Sequence, residues 1–322
     1  MSLAKSILFC GDLLALSADA SAVPMSWSAV GNPGNAADPA TGFGRVDYAF
    51  KIGTYEVTNN QYSAFLNAVA RVDTYGLYNT DMSGDTSGGI TRANASGNFA
   101  YAVKAGRGEM PVNFVSWGDA ARFSNWLQNG QPTGAQTAAT TEGGSYSLNG
   151  ATSNTDLLAV TRTPNAQFVI PTENEWYKAA YYDPYLSTYH QFATRTDDIP
   201  SNSYGDLGNN ATYWRSGFTK PNTFVTDVGH FSASVGPYGT YDQDGNVSEW
   251  NETLVDINIR GVRGGAWSTA YGDLMSTLRS AGSPTYEAAS VGFREANVPE
   301  PSTFALAAFG FIALAWRLRR HT

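Results

Sequence analysis

Residues 242–250 read Asp242-Gln243-Asp244-Gly245-Asn246-Val247-Ser248-Glu249-Trp250, and two shorter blocks follow them, Arg263-Gly264-Gly265-Ala266-Trp267 and Gly292-Phe293-Arg294. The first stretch is an acidic turn leading into a strand. Asp242 and Glu249 bring carboxylates, and in extended chain the carbonyls of residues two apart point the same way, so Gly245 and Val247 offer two further oxygens. A hard cation such as calcium takes several oxygens in flexible geometry, which makes Asp242, Gly245, Val247 and Glu249 the candidate metal ligands. The same residues also suit an Asx-turn, with Glu249 bonded to backbone amides or to an arginine.

Upstream of that turn the chain alternates strand-like and helical pieces. YEVTNNQYSAFL (55–66) reads as a strand ending at Val57 and a helix capped by Thr58 or Asn59, with Tyr62, Phe65 and Leu66 on one face. In MPVNFVSWGDAARFSNWL (110–127), Ser116 and Asp119 have the spacing of a capping box, and Ala120, Phe123, Trp126 and Leu127 form the buried face. Residues 128–159 are rich in Gly, Thr, Ser and Asn and read as an inserted loop or hairpin. In IPTENEWYKAA (170–180), Thr172 caps a helix whose first turn holds Glu173 and Glu175. No regular internal repeat is visible.

These stretches, with YGTYDQDGNVSEW (238–250), RGVRGGAW (260–267) and VGFR (291–294), make six blocks in one order. That order resembles the sulfatase-modifying-factor family, whose founding members are formylglycine-generating enzymes. The resemblance implies an α+β, loop-rich single domain with a formylglycine-generating-enzyme-like (C-type-lectin-like) fold. It also implies a calcium site at Asp242, Gly245, Val247 and Glu249, with Asp242 in place of the usual asparagine. A second family calcium site falls near Asn210 and Ala211, where the flanking spacing departs from the family pattern. In the enzymes of the family a cysteine pair oxidises a substrate cysteine, and the matching positions here are Thr269 and, near the second, Leu274. The single cysteine, Cys10, lies far from this block. Neither Thr269 nor Leu274 can form a thiolate, bind copper(I) or exchange disulfides, so no catalytic residue is assigned.

Composition bounds the remaining possibilities. The 322 residues include 42% hydrophobic and 13% aromatic residues, enough to bury a sizeable core. A net charge of -8 gives no electrostatic footprint for nucleic acid. One cysteine forbids an intrachain disulfide framework. His190, His230 and His321 are scattered without ligand spacing, against a histidine-bound zinc or iron site and against a serine–histidine–carboxylate triad. Calcium is the one cofactor expected, with no copper, haem or nucleotide. Arg263, Arg279 and Arg294 read as bridges between loops and carboxylates, and Trp117, Trp126, Trp176, Trp250 and Trp267 as core. Tyr181, Tyr182, Tyr185 and Tyr189 cluster in a loop, where loop packing competes with a polar aromatic binding surface.

The two ends carry addresses. Pro299, Glu300 and Pro301 precede an apolar run at 304–316, and Arg317, Arg319 and Arg320 follow it. The run is short against the roughly 20 residues of a spanning helix, and the basic cluster holds that end in the cytoplasm. Proline on both sides of Glu300 keeps the peptide extended and accessible. This arrangement resembles the PEP-CTERM sorting signal, which implies recognition by an exosortase-type protease and transient membrane contact through a C-terminal sorting helix. At the other end, Ala20-Ser21-Ala22 offers a small-residue cleavage site before Val23. The expected divisions are a signal peptide at 1–22, the sulfatase-modifying-factor-like domain at 23–297 and the sorting signal at 298–322. The expected function is a non-catalytic binding or structural protein, exported across the inner membrane and sorted to the surface. Its expected partner beyond the exosortase is exopolysaccharide or another cell-surface polymer. The alternative is a formylglycine-generating oxidase or other enzyme of the family.

Overall fold

The computed structural model describes residues 22–205 and 207–299. The Glu300, Pro301, Arg317, Arg319 and Arg320 of the sorting signal, its apolar run, and most of the expected signal peptide lie outside the described residues.

Two four-stranded sheets frame the domain. The first has the order β1 (Trp27–Val30), β2 (Phe50–Gly53), β12 (Ala296–Asn297) and β5 (Phe168–Val169), all antiparallel. β12 thus inserts between an N-terminal and a central strand and closes the chain on itself. The second sheet runs β10 (Ser280–Gly282), β9 (Ile259–Arg263), β8 (Ser248–Asp256) and β11 (Val291–Gly292), with β11 parallel to β8. Two small hairpins, β3 with β4 (Ile90–Ala93, Ala100–Val103) and β6 with β7 (Tyr182–Asp183, Thr188–Tyr189), lie outside these sheets. Most of the remaining chain is turn and irregular loop, so the α+β, loop-rich reading holds.

The three main helices begin where their side chains can satisfy the first-turn amides. α1 (Asn59–Val69), α3 (Trp117–Gln128) and α5 (Glu173–Tyr181) each open on a complete capping box: Thr58 with Gln61, Ser116 with Asp119, and Thr172 with Glu175. Each such cap contributes about 0.5–2 kcal/mol against alanine. The short α2 (Asp81–Gly84) and α4 (Asn154–Ala159) lie between them. Phe65, Phe123 and Trp126 of α1 and α3 meet Phe293 in an aromatic core, with ring centroids 5.3 Å apart for Phe65–Phe123 and 5.5 Å for Phe123–Phe293.

Four local expectations differ from the structure. The strand expected to end at Val57 is β2, and it stops at Gly53, because Gly53 and Val57 bond one by one to the carbonyls of Glu295 and Phe293 and form no continuous ladder. α3 is buried on every side from Trp117 to Leu127, beyond the expected single face. Its polar residues find internal partners: Arg122 with Glu142 at 2.7 Å, Ser124 with Glu295 at 2.9 Å and Asn125 with the Thr141 carbonyl at 2.7 Å. Residues 128–159, expected as an inserted loop, contribute fully buried Tyr146 and nearly buried Leu148 to the main core. Val298, counted with the tail in the sequence, packs against that core and bonds to the Gln167 carbonyl at 2.8 Å.

Candidate functional site

The acidic turn is tied to the core by its own polar groups. Asp242, Gly245 and Asn246 adopt positive φ of 60°, 84° and 59°. At Gly245 a Cβ would collide with the Thr212 carbonyl, so only glycine fits. Asn246 donates from Nδ2 to Glu56 Oε2 at 2.7 Å, and the Val247 amide donates to Glu56 Oε1 at 3.1 Å. Glu56 therefore acts as a buried clamp on the turn, a role its place in 55–66 did not announce.

Glu249 is held by three donors. Trp176 Nε1 reaches Oε2 at 2.7 Å, and Arg294 makes a fork, Nε to Oε2 at 2.5 Å and Nη2 to Oε1 at 2.6 Å. The other arms of Arg294 donate to the carbonyls of Gly53 at 3.0 Å and Tyr241 at 2.9 Å. One guanidinium thus joins the first sheet, the acidic turn and the Gly292-Phe293-Arg294 block. Burial alone would lower the Arg294 pKa, and the Glu249 carboxylate reverses that and raises it. Burial pushes Asp242 up to about 6, against the Gly229 amide that donates to its Oδ2 at 2.6 Å. Burial likewise raises Glu56 well above the carboxylate range, with Asp242 and Glu249 adding repulsion.

Of the expected metal-ligand residues, Asp242, Gly245 and Val247 lie in the turn and Glu249 in β8, and each would offer an oxygen donor of the kind a hard cation takes. Glu249 already sits in the arginine pairing that is the turn's other reading, so an ion here would share that carboxylate with Arg294. Among the described residues, no three His, Cys, Asp or Glu side chains gather as a metal-binding group. Near the Asn210–Ala211 candidate, the Asn210 side chain is spent on its loop. Its Oδ1 accepts from Leu207 at 2.7 Å and its Nδ2 donates to the carbonyls of Ser203 and Gly205, both at 3.0 Å.

The Gly264–Gly265 block abuts this turn, since a Cβ on Gly264 would stand 2.7 Å from the Gln243 carbonyl. Beyond the block, the Thr269 hydroxyl closes a tight loop: it accepts from the Ala266 amide at 2.9 Å and lies 3.1 Å from the Ala266 carbonyl. Leu274 is fully buried with Phe192, Ala211 and Tyr213. Neither position holds a thiol. Beside them the surface is aromatic: Trp214, whose amide bonds to the Thr269 carbonyl at 2.9 Å, is exposed, as are Phe218 and Tyr271. Phe224 stacks on Trp267 at 4.6 Å and Phe218 packs on it at 5.5 Å. This exposed cluster was not singled out in the sequence, where only the spacing Trp214-x-x-x-Phe218 hints at it.

The arginines and tryptophans sit largely where the sequence put them. Arg263 and Arg279 both pair with Glu173, at 2.6 and 2.5 Å, and Arg162 binds Glu175 at 2.7 Å and also Glu252. Trp117, Trp176 and Trp250 are fully buried and Trp126 nearly so, while Trp267 is partly buried. Of the tyrosine cluster expected in a loop, Tyr181 ends α5 and Tyr182 pairs with Tyr189 across the β6–β7 hairpin; Tyr181 and Tyr182 are buried, Tyr189 is half-buried and Tyr185 projects, so packing accounts for most of it.

Comparison with known proteins now adds to this geometry. Residues 29–298 match the sulfatase-modifying factor enzyme 1-like domain, and residues 297–320 match the PEP-CTERM protein-sorting motif. Among solved structures the chain is similar to CarF, at 22% identity and TM-score 0.53, covering 86% of this chain and 99% of that one. It is also similar to Treponema denticola variable protein 1, at 22% identity and TM-score 0.49, covering 87% of this chain and 97% of that one. PvdO from Pseudomonas aeruginosa follows at 15% identity and TM-score 0.46, with 86% and 93% covered. The likeness to CarF shows the fold. No curated protein sequence matches the chain.

Proposed function

The chain belongs to the family of sulfatase-modifying factor enzyme 1-like domains and carries a PEP-CTERM sorting motif, and on that premise we propose a surface-sorted protein that binds or scaffolds without catalysing. The motif indicates export, exosortase-type processing and membrane-associated sorting toward the cell surface. The observation that carries the non-catalytic reading is the state of the two positions where the family's enzymes hold thiols. One is Thr269, closed on its own loop, and the other falls near Leu274, which is core.

The partner proposed is an extracellular polymer, with exopolysaccharide first. Support comes from the exposed Trp214, Phe218 and Tyr271, because flat aromatic faces stack on sugar rings and cost little side-chain entropy on binding. A calcium ion is proposed at the acidic turn, on Asp242, the Gly245 and Val247 carbonyls and Glu249. Bound there it would supply rigidity to the loops around the turn and no chemistry. Signal cleavage before Val23 agrees with the clamp on that residue: its amide donates to Gln131 Oε1 at 2.6 Å and its carbonyl accepts from Gln131 Nε2 at 3.0 Å.

The test is a polymer and glycan binding screen of the exported domain and of its Trp214→Ala, Tyr271→Ala variant, with and without chelator. The reading expects retention of an acidic or neutral surface polysaccharide that the variant loses at least tenfold. Equal retention by the variant would remove the aromatic face from the account, and no retention of any surface polymer would defeat the polymer reading.

A further inference from the structure

The exposed aromatic face has a charge pattern unlike that of the chain as a whole. The net charge is -8, yet residues 207–226 and 265–272, which supply this face, hold no Asp or Glu, and the first of them hold Arg215 and Lys220. Trp214 and Phe218 stand opposite each other in an antiparallel bridge, 46% and 37% exposed, so both rings lie on one side of a short hairpin with exposed Arg215 at its tip. The Trp214 amide donates to the Thr269 carbonyl at 2.9 Å, which joins the hairpin to the segment bearing exposed Tyr271. On its other flank, Asn202 Nδ2 donates to the carbonyls of Gly217 at 3.0 Å and Arg215 at 3.3 Å, and so fastens the 202–204 segment to the hairpin. There the Lys220 ammonium stands 5.6 Å from the ring of exposed Tyr204.

Among the described residues neither Arg215 nor Lys220 pairs with a carboxylate, whereas Arg122, Arg162, Arg263 and Arg294 each do. Asp227 and Asp273, which follow the two segments, line other cavities, one with Tyr55 and Glu56 and the other with Gly264 and Gly265. Unpaired positive charge therefore sits beside flat aromatic rings, on a protein whose net charge would otherwise repel an acidic polymer. A neutral sugar gains from the rings and has no charge for the guanidinium to meet. A carboxylate matches the planar guanidinium in a two-pronged pair, and local cations steer such a ligand to the face. Resting on the polymer reading above, we propose that the ligand of this face is a carboxylated polysaccharide. Its sugar rings stack on Trp214 and Phe218, while its uronate carboxylates meet the Arg215 guanidinium and the Lys220 ammonium.

The experiment measures binding of the exported protein to polygalacturonate and to the same polymer with its carboxylates methyl-esterified, at low and high salt. Esterification keeps the sugar rings and removes the charge. The variants are Arg215→Gln combined with Lys220→Gln, and Trp214→Ala alone, with far-ultraviolet circular dichroism confirming that each is folded. The wild type should bind the acid form about tenfold more tightly than the ester, a preference that shrinks as salt screens it. The double variant should bind acid and ester alike, and Trp214→Ala should lose affinity for both. Equal wild-type affinity for the two forms, or an undiminished preference in the double variant, would overturn the carboxylate proposal and leave an aromatic polymer site standing. Retention of neither form by the wild type would overturn it as well, and the broader polymer screen then decides the parent reading separately. Wild-type binding of both forms by Trp214→Ala would defeat the aromatic face itself, and this proposal with it.

Discussion

Arg294→Met is the substitution on which the architecture around the acidic turn is most exposed. The guanidinium is completely buried and donates to Glu249 through two nitrogens, at 2.5 and 2.6 Å, and to the carbonyls of Gly53 and Tyr241. Methionine fills much of the volume and removes the charge and all of those donors. Glu249 then keeps Trp176 as its donor, in a region that also buries Glu56 and Asp242. Removing one partner of a buried pair costs about 3–5 kcal/mol, because the charge left behind is uncompensated. For a domain of this size that corresponds to a fall of about 6–20 °C in Tm. Thermal and urea unfolding of wild type, Arg294→Met, Glu249→Gln and the double variant give the coupling directly. The double variant should be more stable than the sum of the single losses predicts, since it removes the stranded charge together with its partner. A loss below about 1 kcal/mol for Arg294→Met, or simple additivity, would refute the reasoning that this pair fastens the turn to the sheet.

Other consequences follow from the same geometry. Burial pushes Glu295 up to about 8 from an ordinary 4.5, so between those values the folded chain holds a proton that the unfolded chain releases. The stability it contributes is full below pH 4.5 and is lost as pH rises toward 8, at up to about 1.4 kcal/mol per pH unit. Urea titrations of Glu295→Gln across that window should therefore show a shallower fall than wild type, and an identical slope would contradict the assignment. Calcium at a hundred times its Kd should add about 2.7 kcal/mol to wild type, and less to Asp242→Ala or Glu249→Ala. Melting curves that ignore both calcium and chelator would leave the acidic turn as a turn only. In a host with an exosortase, mass spectrometry of the exported protein should find the arginine-bearing end removed. An intact Thr322, with Pro299→Ala and Glu300→Ala changing nothing, would defeat the sorting account.

Where the sequence was legible, the signal was local. Ser116 and Thr172, and Thr58 with Asn59 as its alternative, are readable as caps because a cap and its third residue lie within one turn of chain, and the structure has Thr58, Ser116 and Thr172 each in a capping box. Arg263, Arg279 and Arg294 were readable as bridges because each sits in a block that packs against a carboxylate-bearing one. What stayed hidden depends on distant partners. Ser124 looks like an exposed helical residue until Glu295, 171 residues away, is placed beside it. Glu56 reaches the acidic turn across 190 residues, and nothing in 55–66 marks it as the turn's clamp. Residues 128–159 read as loop because of their Gly, Thr and Ser content, while a few scattered residues, Tyr146, Leu148, Ala151 and Leu157, carry the apolar burial. At the candidate site the acidic turn is conspicuous in the sequence, but the aromatic surface emerges only when Phe218 and Phe224 are folded onto Trp267, more than forty residues away.

The central claim, a family scaffold sorted to the surface without the family's thiol chemistry, meets its most direct test in one assay. The exported protein is incubated with a Cys-Xaa-Pro-Xaa-Arg peptide and copper, aerobically and anaerobically, and the peptide is analysed for aldehyde. With Thr269 at the first thiol position and Leu274 near the second, the account predicts no aldehyde above the protein-free control under either condition. Oxygen-dependent formation of aldehyde with multiple turnovers would contradict it.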